Sequence, residues 1–331
     1  MPAASRSPHV IPSDSLLAAF GASTTVLLTG PEGPDGDSIG ACLALQRALA
    51  VKLPSLRVDV AGVPGNRYAF LAGSETMLPD ARVGTYDGVV VLDGDRTRLP
   101  PRVAEAFAGA RWTALIDHHR SSDLSGYTIP WLEPTTESTC VMVRKLFAAW
   151  DVPLDRDTAE QLYTGIIFDT GAFRYSNTNA NTHLVAAELL ALGIEHHRIC
   201  ERVLMDRRHA GLRLQSRVCD AARLLADGRV LIGVFTHAVA ADVGADDGDT
   251  EGIIDALQHV EGIEVAALVI EKNAGRTKLS LRSRGNVDVS ALAKRISPMG
   301  GGHAKAAGAS IALPVAEALA LVERELLASI G

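Results

Sequence analysis

The chain has 331 residues, 47% of them apolar and 21% charged, with a net charge of −7. At roughly 150 residues per domain, that length predicts two soluble globular domains, each with its own core. The acidic balance and the 5% aromatic content exclude a broad basic, base-stacking surface for long nucleic acid, but not a local pocket for a short phosphorylated ligand.

The first residues, MPAASRSPHVIPSDS, lack the basic start and apolar core of a secretory signal. No apolar run approaches the ~18–20 residues of a membrane span, so no membrane partner is expected. The cysteines Cys42, Cys140, Cys200 and Cys219 are too far apart for a CxxC metal knuckle. They read as reduced thiols of a cytoplasmic protein. Thr24–Thr29, Leu56–Val63, Gly88–Leu92 and Thr113–Ile116 are short apolar runs that predict buried strands, with a helix over Ser38–Val51. Strands of this kind alternating with helices predict an α/β fold: a parallel sheet with helices on both faces. From Glu137 the spacing turns helical, over Glu137–Trp150, Thr158–Phe168 and Thr182–Leu192. This first domain is placed at residues 12–205.

Residues 206–226 read as a connecting helix, and 227–331 as a smaller α+β domain. Its predicted strands are Val230–Phe235, Val265–Glu271 and Lys278–Arg282, and its predicted helices are Gly252–Val260, Val289–Ile296 and Val315–Ser329. Ala241–Gly248 reads as an acidic surface loop.

Chemistry-bearing residues recur at the ends of these elements. Asp35 and Asp37 follow the first strand, within Pro34-Asp35-Gly36-Asp37-Ser38. Asp93 closes an all-apolar strand, at the edge where open α/β sheets hold ligands. Asp117-His118-His119 closes another, and Asp169 ends a nearly apolar helix. Each has a structural reading alone, as a cap, a turn or a buried polar pair. Together they place several carboxylates and an imidazole pair at one sheet edge. Clustered carboxylates resist ionising together, and a divalent cation removes the conflict. An oxygen-and-imidazole shell suits manganese, with magnesium or cobalt as alternatives.

The segments PDGDSIGA, VVVLDGD, IDHH and GIIFDTGAFRYSNT, in that order, resemble the motifs of the DHH phosphoesterase superfamily. Gly300–Gly308, GGGHAKAAG, resembles the signature of its DHH-associated domain, and Lys278–Ser283 the substrate-binding strand before it. The resemblance spans residues 12 to 328. It is nearest to the nano-RNase/pAp phosphatase subgroup, which trims very short oligonucleotides and dephosphorylates pAp. It implies metal ligation by Asp35, Asp37, Asp93, His118 and Asp169, with Asp93 shared between ions, and a place for His119 beside the substrate phosphate. It also implies that Arg282, Ser283, Gly301, Gly302 and His303 hold the far end of the substrate. Arg174 is a candidate phosphate contact or a surface salt bridge. The expected activity is hydrolysis of phosphate esters on small nucleotides, with one or two ions and a homodimer. The alternative is a weakened member that binds a nucleotide as a sensor. One position departs from the family: Pro31 stands where its first motif carries a metal-binding His.

Overall fold

The structure is a computed structural model describing residues 11–82, 84, 86–273 and 275–330. The chain divides between Asp206 and Arg207 into two compact units.

The first unit contains α1 (Ser13–Gly21), β1 (Thr25–Thr29), α2 (Gly36–Lys52), β2 (Arg57–Ala61), α3 (Gly65–Tyr68), β3 (Gly88–Leu92), α4 (Pro101–Gly109), β4 (Trp112–Asp117), β5 (Ile129–Leu132), α5 (Thr139–Ala149), α6 (Arg156–Asp169), α7 (Ala180–Leu190) and α8 (His196–Cys200). The strands form a sheet in the order β2-β1-β3-β4-β5, and every pairing is parallel. One face packs Val26, Leu28, Val90 and Ile116 against the apolar sides of α2, α5 and α6. The other packs Leu27 and Val89 with Val103 of α4. Burial on both faces explains why these strands are apolar at every position rather than at alternate ones. In this strand order the chain reverses direction of winding between β1 and β3, which opens a crevice at their carboxyl ends.

Helix α2 lies against both the sheet and α6, so nearly its whole first half is buried. Glycine makes that approach possible. A Cβ on Gly40 would lie 2.3 Å from the Gln161 carbonyl oxygen, closer than real side chains come to backbone.

The second unit contains α9 (His209–Asp220), β6 (Arg223–Leu225), β7 (Val230–Phe235), α10 (His237–Val243), α11 (Ile253–Gln258), β8 (Val265–Asn273), β9 (Arg276–Ser283), α12 (Val289–Ile296), β10 (Gly301–His303), β11 (Ala306–Ile311) and α13 (Val315–Ile330). Its sheet has the order β10-β11-β9-β8-β7-β6. Only β7 and β8 pair in parallel. Helices α12 and α13 cover one face, through Leu292, Val322 and Leu326 on Val269 and Leu281. Helices α9, α10 and α11 contribute Leu214, Val243 and Leu257 to the other, over Ala266 and Leu268.

Three expectations need correction. The segment 206–226 is not one connecting helix. Its helix spans only His209–Asp220 and buries Leu214 and Val218 in the second unit's own core, and Arg223–Leu225 then joins the sheet as an edge strand. Ala241–Gly248 is not wholly loop, because α10 runs to Val243 and ends on Gly244 in the left-handed conformation. Strands β5, β10 and β11 also went unread. They are edge or small-residue strands, whose glycines, alanines and proline carry little strand signal. Among the described residues no helix is long and apolar enough to cross a membrane.

Candidate metal centre

Asp37, Asp93, His118 and Asp169 come from α2, the turn after β3, the end of β4 and the end of α6. Their ligand atoms lie within 4.8 Å of one another. His118 Nε2 is 2.9 Å from Asp169 Oδ2, 3.4 Å from Asp93 Oδ1 and 3.9 Å from Asp37 Oδ2. The opposite ring nitrogen, Nδ1, lies 3.2 Å from the Thr136 carbonyl oxygen. That contact assigns the ring proton to Nδ1 and turns the Nε2 lone pair toward the carboxylates, the orientation a metal ligand requires.

Each carboxylate is held by local backbone. Asp37 is fully buried and accepts from the Thr139 and Cys140 amides, at 2.6 and 2.9 Å, at the start of α5. Asp93 adopts φ +63, unusual for a residue other than glycine. Its amide still donates to Ile116 O at 3.1 Å, so β3 stays paired while the chain turns, and its Oδ1 accepts from the Thr139 hydroxyl. Asp169 is the last residue of α6. Its carbonyl accepts from Asn177 Nδ2, which ties down the loop that follows.

Burial and mutual repulsion dominate the electrostatics. Burial, then Asp93 and Asp169, push the Asp37 carboxyl well above the usual carboxylate range. Asp169 is also raised, by burial first, although His118 offsets part of it. Burial would lower His118, but Asp169, Asp93 and Asp37 outweigh it and leave the imidazole well above its ordinary value. Asp93 goes the other way, because His118 and His119 overcome its burial and hold it ionised. Without a cation the cluster therefore keeps protons. Three carboxylates and one correctly oriented imidazole fit a divalent ion that prefers mixed oxygen and nitrogen ligands.

Asp35 does not join this group of four. Its Oδ1 caps α2, accepting from Asp37 N and Ser38 N at 3.0 and 3.2 Å. Burial, with Asp93 next, raises its carboxyl too. Pro31 is buried, and a Cβ on Gly94 would lie 3.3–3.4 Å from its ring atoms, so the ring packs beside the Asp93 turn. His119 stands next to the group, with Nδ1 2.8 Å from Asp117 Oδ1. Asp117 also accepts from the His119 amide and the Ser122 hydroxyl. Arg174 is exposed, with Nε donating to Gly171 O.

In the second unit, Arg282 and Ser283 end β9, while Gly301, Gly302 and His303 form the edge strand β10. Gly302 has φ +130, and a Cβ there would meet Ala306 O at 2.6 Å, so only glycine fits that close hairpin.

Sequence reading passed over two residues. Asp117 was visible as the acid of the Asp-His-His run, and its role emerges only from the contact with His119. Gly165 gave no chemical signal at all. A Cβ on it would lie 2.4 Å from both Asp37 Oδ1 and Cys140 Sγ. Gly165→Ala is therefore expected to displace the Asp37 carboxylate and weaken divalent-metal binding about 10- to 100-fold, with helix content retained. Titration calorimetry and circular dichroism check this.

A parallel sheet holding clustered acids and a histidine at its switch point defines a divalent-metal enzyme of the open α/β class. Residues 25–166 match the DHH family, N-terminal domain, and residues 230–328 match the DHHA1 domain. The bifunctional oligoribonuclease and PAP phosphatase NrnA of Thermus thermophilus is 30% identical over 280 residues, covering 84% of this chain and 81% of that protein. The protein of the same name from Bacillus subtilis is 24% identical over 292 residues, covering 87% and 89%. An exopolyphosphatase-related protein from Bacteroides fragilis shares the fold, with a TM-score of 0.85, 24% identity and 96% of each chain covered. The chain belongs to the DHH phosphoesterase family, and it is a metal-dependent hydrolase of phosphate esters.

Proposed function

We propose that this chain cleaves phosphate esters of small nucleotides: short oligoribonucleotides such as dinucleotides, and pAp to AMP. The observation that carries the reading is the convergence of Asp37, Asp93, His118 and Asp169 within 4.8 Å. The NrnA-named relatives, matched over most of their length, support the substrate class.

In this reading Asp37, Asp93, His118 and Asp169 hold the ion, with manganese the best match to the donor set. A bound ion would supply Lewis acidity, lowering the pKa of water toward neutrality and offsetting phosphoryl charge. Asp35 is the further carboxylate for a second ion. Because Pro31 brings no side-chain ligand there, the group of four is the firmer position. Asp117 fixes the His119 ring by Nδ1 and directs Nε2 away from itself. Burial opposes a charge on His119, but Asp117 outweighs it and keeps the ring protonated further up the pH scale. His119 can thus donate a hydrogen bond to a phosphoryl oxygen. Arg282, Ser283, Gly301, Gly302 and His303 recognise the far end of the nucleotide, and Arg174 adds a phosphate contact. The protein works in the cytoplasm, acts on short rather than long duplex substrates, and forms a homodimer.

Asp117→Asn is expected to lower kcat about 10- to 100-fold while leaving manganese affinity nearly unchanged, because it disturbs the His119 tautomer and not the ligands. Steady-state kinetics beside metal titration read this directly. The reading as a whole is tested by incubating the purified protein with manganese and either pAp or a diadenylate. Release of phosphate or of mononucleotide is expected. Nucleotide binding without turnover, across several metals, would favour the sensor instead.

A further inference from the structure

The sheet of the second unit carries a row of side chains that its strand register fixes. Ala266 of β8 lies opposite Arg282 of β9, Arg282 opposite Ala306 of β11, and Ala306 opposite His303 of β10. Directly opposed residues in an antiparallel ladder project to the same face. Arg282 and His303 therefore flank the single methyl group of Ala306. Ala307, Ala309 and Ile311 belong to the core on the other face. Ala306 and Gly308, on the row's own face, are only half-buried. Helix α11 packs on β8 and β9 on that face, so Arg282 stands at its margin.

Asp255 of α11 meets Arg282 there. Its Oδ1 lies 3.4 Å from Arg282 Nε in an ion pair, and both atoms are buried with no hydrogen-bond partner. Arg282 NH1 donates to the Leu281 carbonyl oxygen at 3.2 Å. With Nε facing the carboxylate and NH1 on backbone, NH2 remains for an incoming oxyanion. A long, flexible guanidinium is thereby set in one orientation before any ligand arrives, and that preorganisation strengthens binding without adding a contact.

We propose that Asp255 is a positioning residue for nucleotide recognition. It aims the Arg282 guanidinium over the β9–β11–β10 surface at a phosphate group of the substrate. This rests on the assignment of Arg282 to substrate binding made above. Asp255 touches no reacting atom, so its effect belongs in KM and not in kcat.

The experiment compares wild type, Asp255→Asn, Arg282→Lys and the double variant. Manganese-supported turnover of pAp is measured, as is calorimetric binding of pAp to chelator-treated protein. Asp255→Asn is expected to raise KM about tenfold with kcat within about twofold. In the Arg282→Lys background, where there is no planar guanidinium to orient, the same change should cost less than about twofold more. KM unchanged by Asp255→Asn, or raised equally in both backgrounds, overturns the inference while leaving the phosphoesterase reading intact. Asp255-dependent binding by a wild type that does not turn over overturns that reading and upholds the inference. A wild type that neither binds nor cleaves pAp overturns both.

Discussion

Replacing Asp93 with Asn is expected to abolish turnover, by on the order of 10³-fold or more, the scale of losing metal-assisted attack by water. The expectation follows from where Asp93 sits. It lies 3.4 Å from His118 Nε2, is held by the Thr139 hydroxyl, and belongs to a group of four donors drawn from four separate segments. It is also the carboxylate that His118 and His119 keep ionised against its burial. The other acids of the group cannot substitute, since Asp37 and Asp169 already fill their own places in it. Asparagine preserves the shape of the turn after β3 but not the charge. Circular dichroism should be unchanged, while calorimetry shows manganese affinity reduced by at least about 100-fold. A variant retaining a tenth of wild-type turnover would remove Asp93 from the centre of the chemistry.

The second large effect is on stability. In metal-free protein, Asp37 and Asp169 have folded pKa values above their unfolded ones, and so does His118. Between the unfolded and folded values the native state binds more protons than the unfolded state, so stability falls as pH rises. For the acids this loss begins above the ordinary carboxylate range. For His118 it begins above the ordinary histidine range. Asp93 and Asp117, both lowered, act in the opposite sense, and their contribution is lost only as pH drops below that range. The metal-free protein should therefore be most stable in mild acid and weaken as pH rises through and beyond the ordinary histidine range. A divalent ion replaces the protons and reverses the trend. At a thousand times its dissociation constant it adds about 4 kcal/mol, which for a unit of this size is roughly 8–16 °C in Tm. Thermal unfolding with chelator and with manganese, between pH 5 and 9, should show two curves that diverge as pH rises. Parallel curves would contradict the proton-holding cluster.

Much of the site was legible because sequence and topology mark the same places. Apolar strands ending in Asp93 and in Asp117-His118-His119 announce the carboxyl edge of a parallel sheet, and the structure puts both there. The grouping of Asp37 with Asp169 was legible from their places at element ends near one sheet edge, together with the family resemblance, since no periodicity relates residues that far apart. Gly165 could not be read, because its role is the absence of a side chain at a helix crossing. Asp255 could not be read either, because a carboxylate on a short helix looks like any solvated charge until its partner strand is known. The segment after residue 206 misled because α9 is amphipathic in its own right. Amphipathicity reveals that a face is buried, but not which unit buries it.

The most direct measurement is anomalous scattering at the manganese edge from a crystal soaked in that ion. A peak is expected within coordination distance of Asp37, Asp93, His118 and Asp169 together. A fully soaked crystal with no peak among these four side chains, or with manganese held elsewhere while they keep their contacts to one another, would contradict the assignment of this cluster as the metal centre.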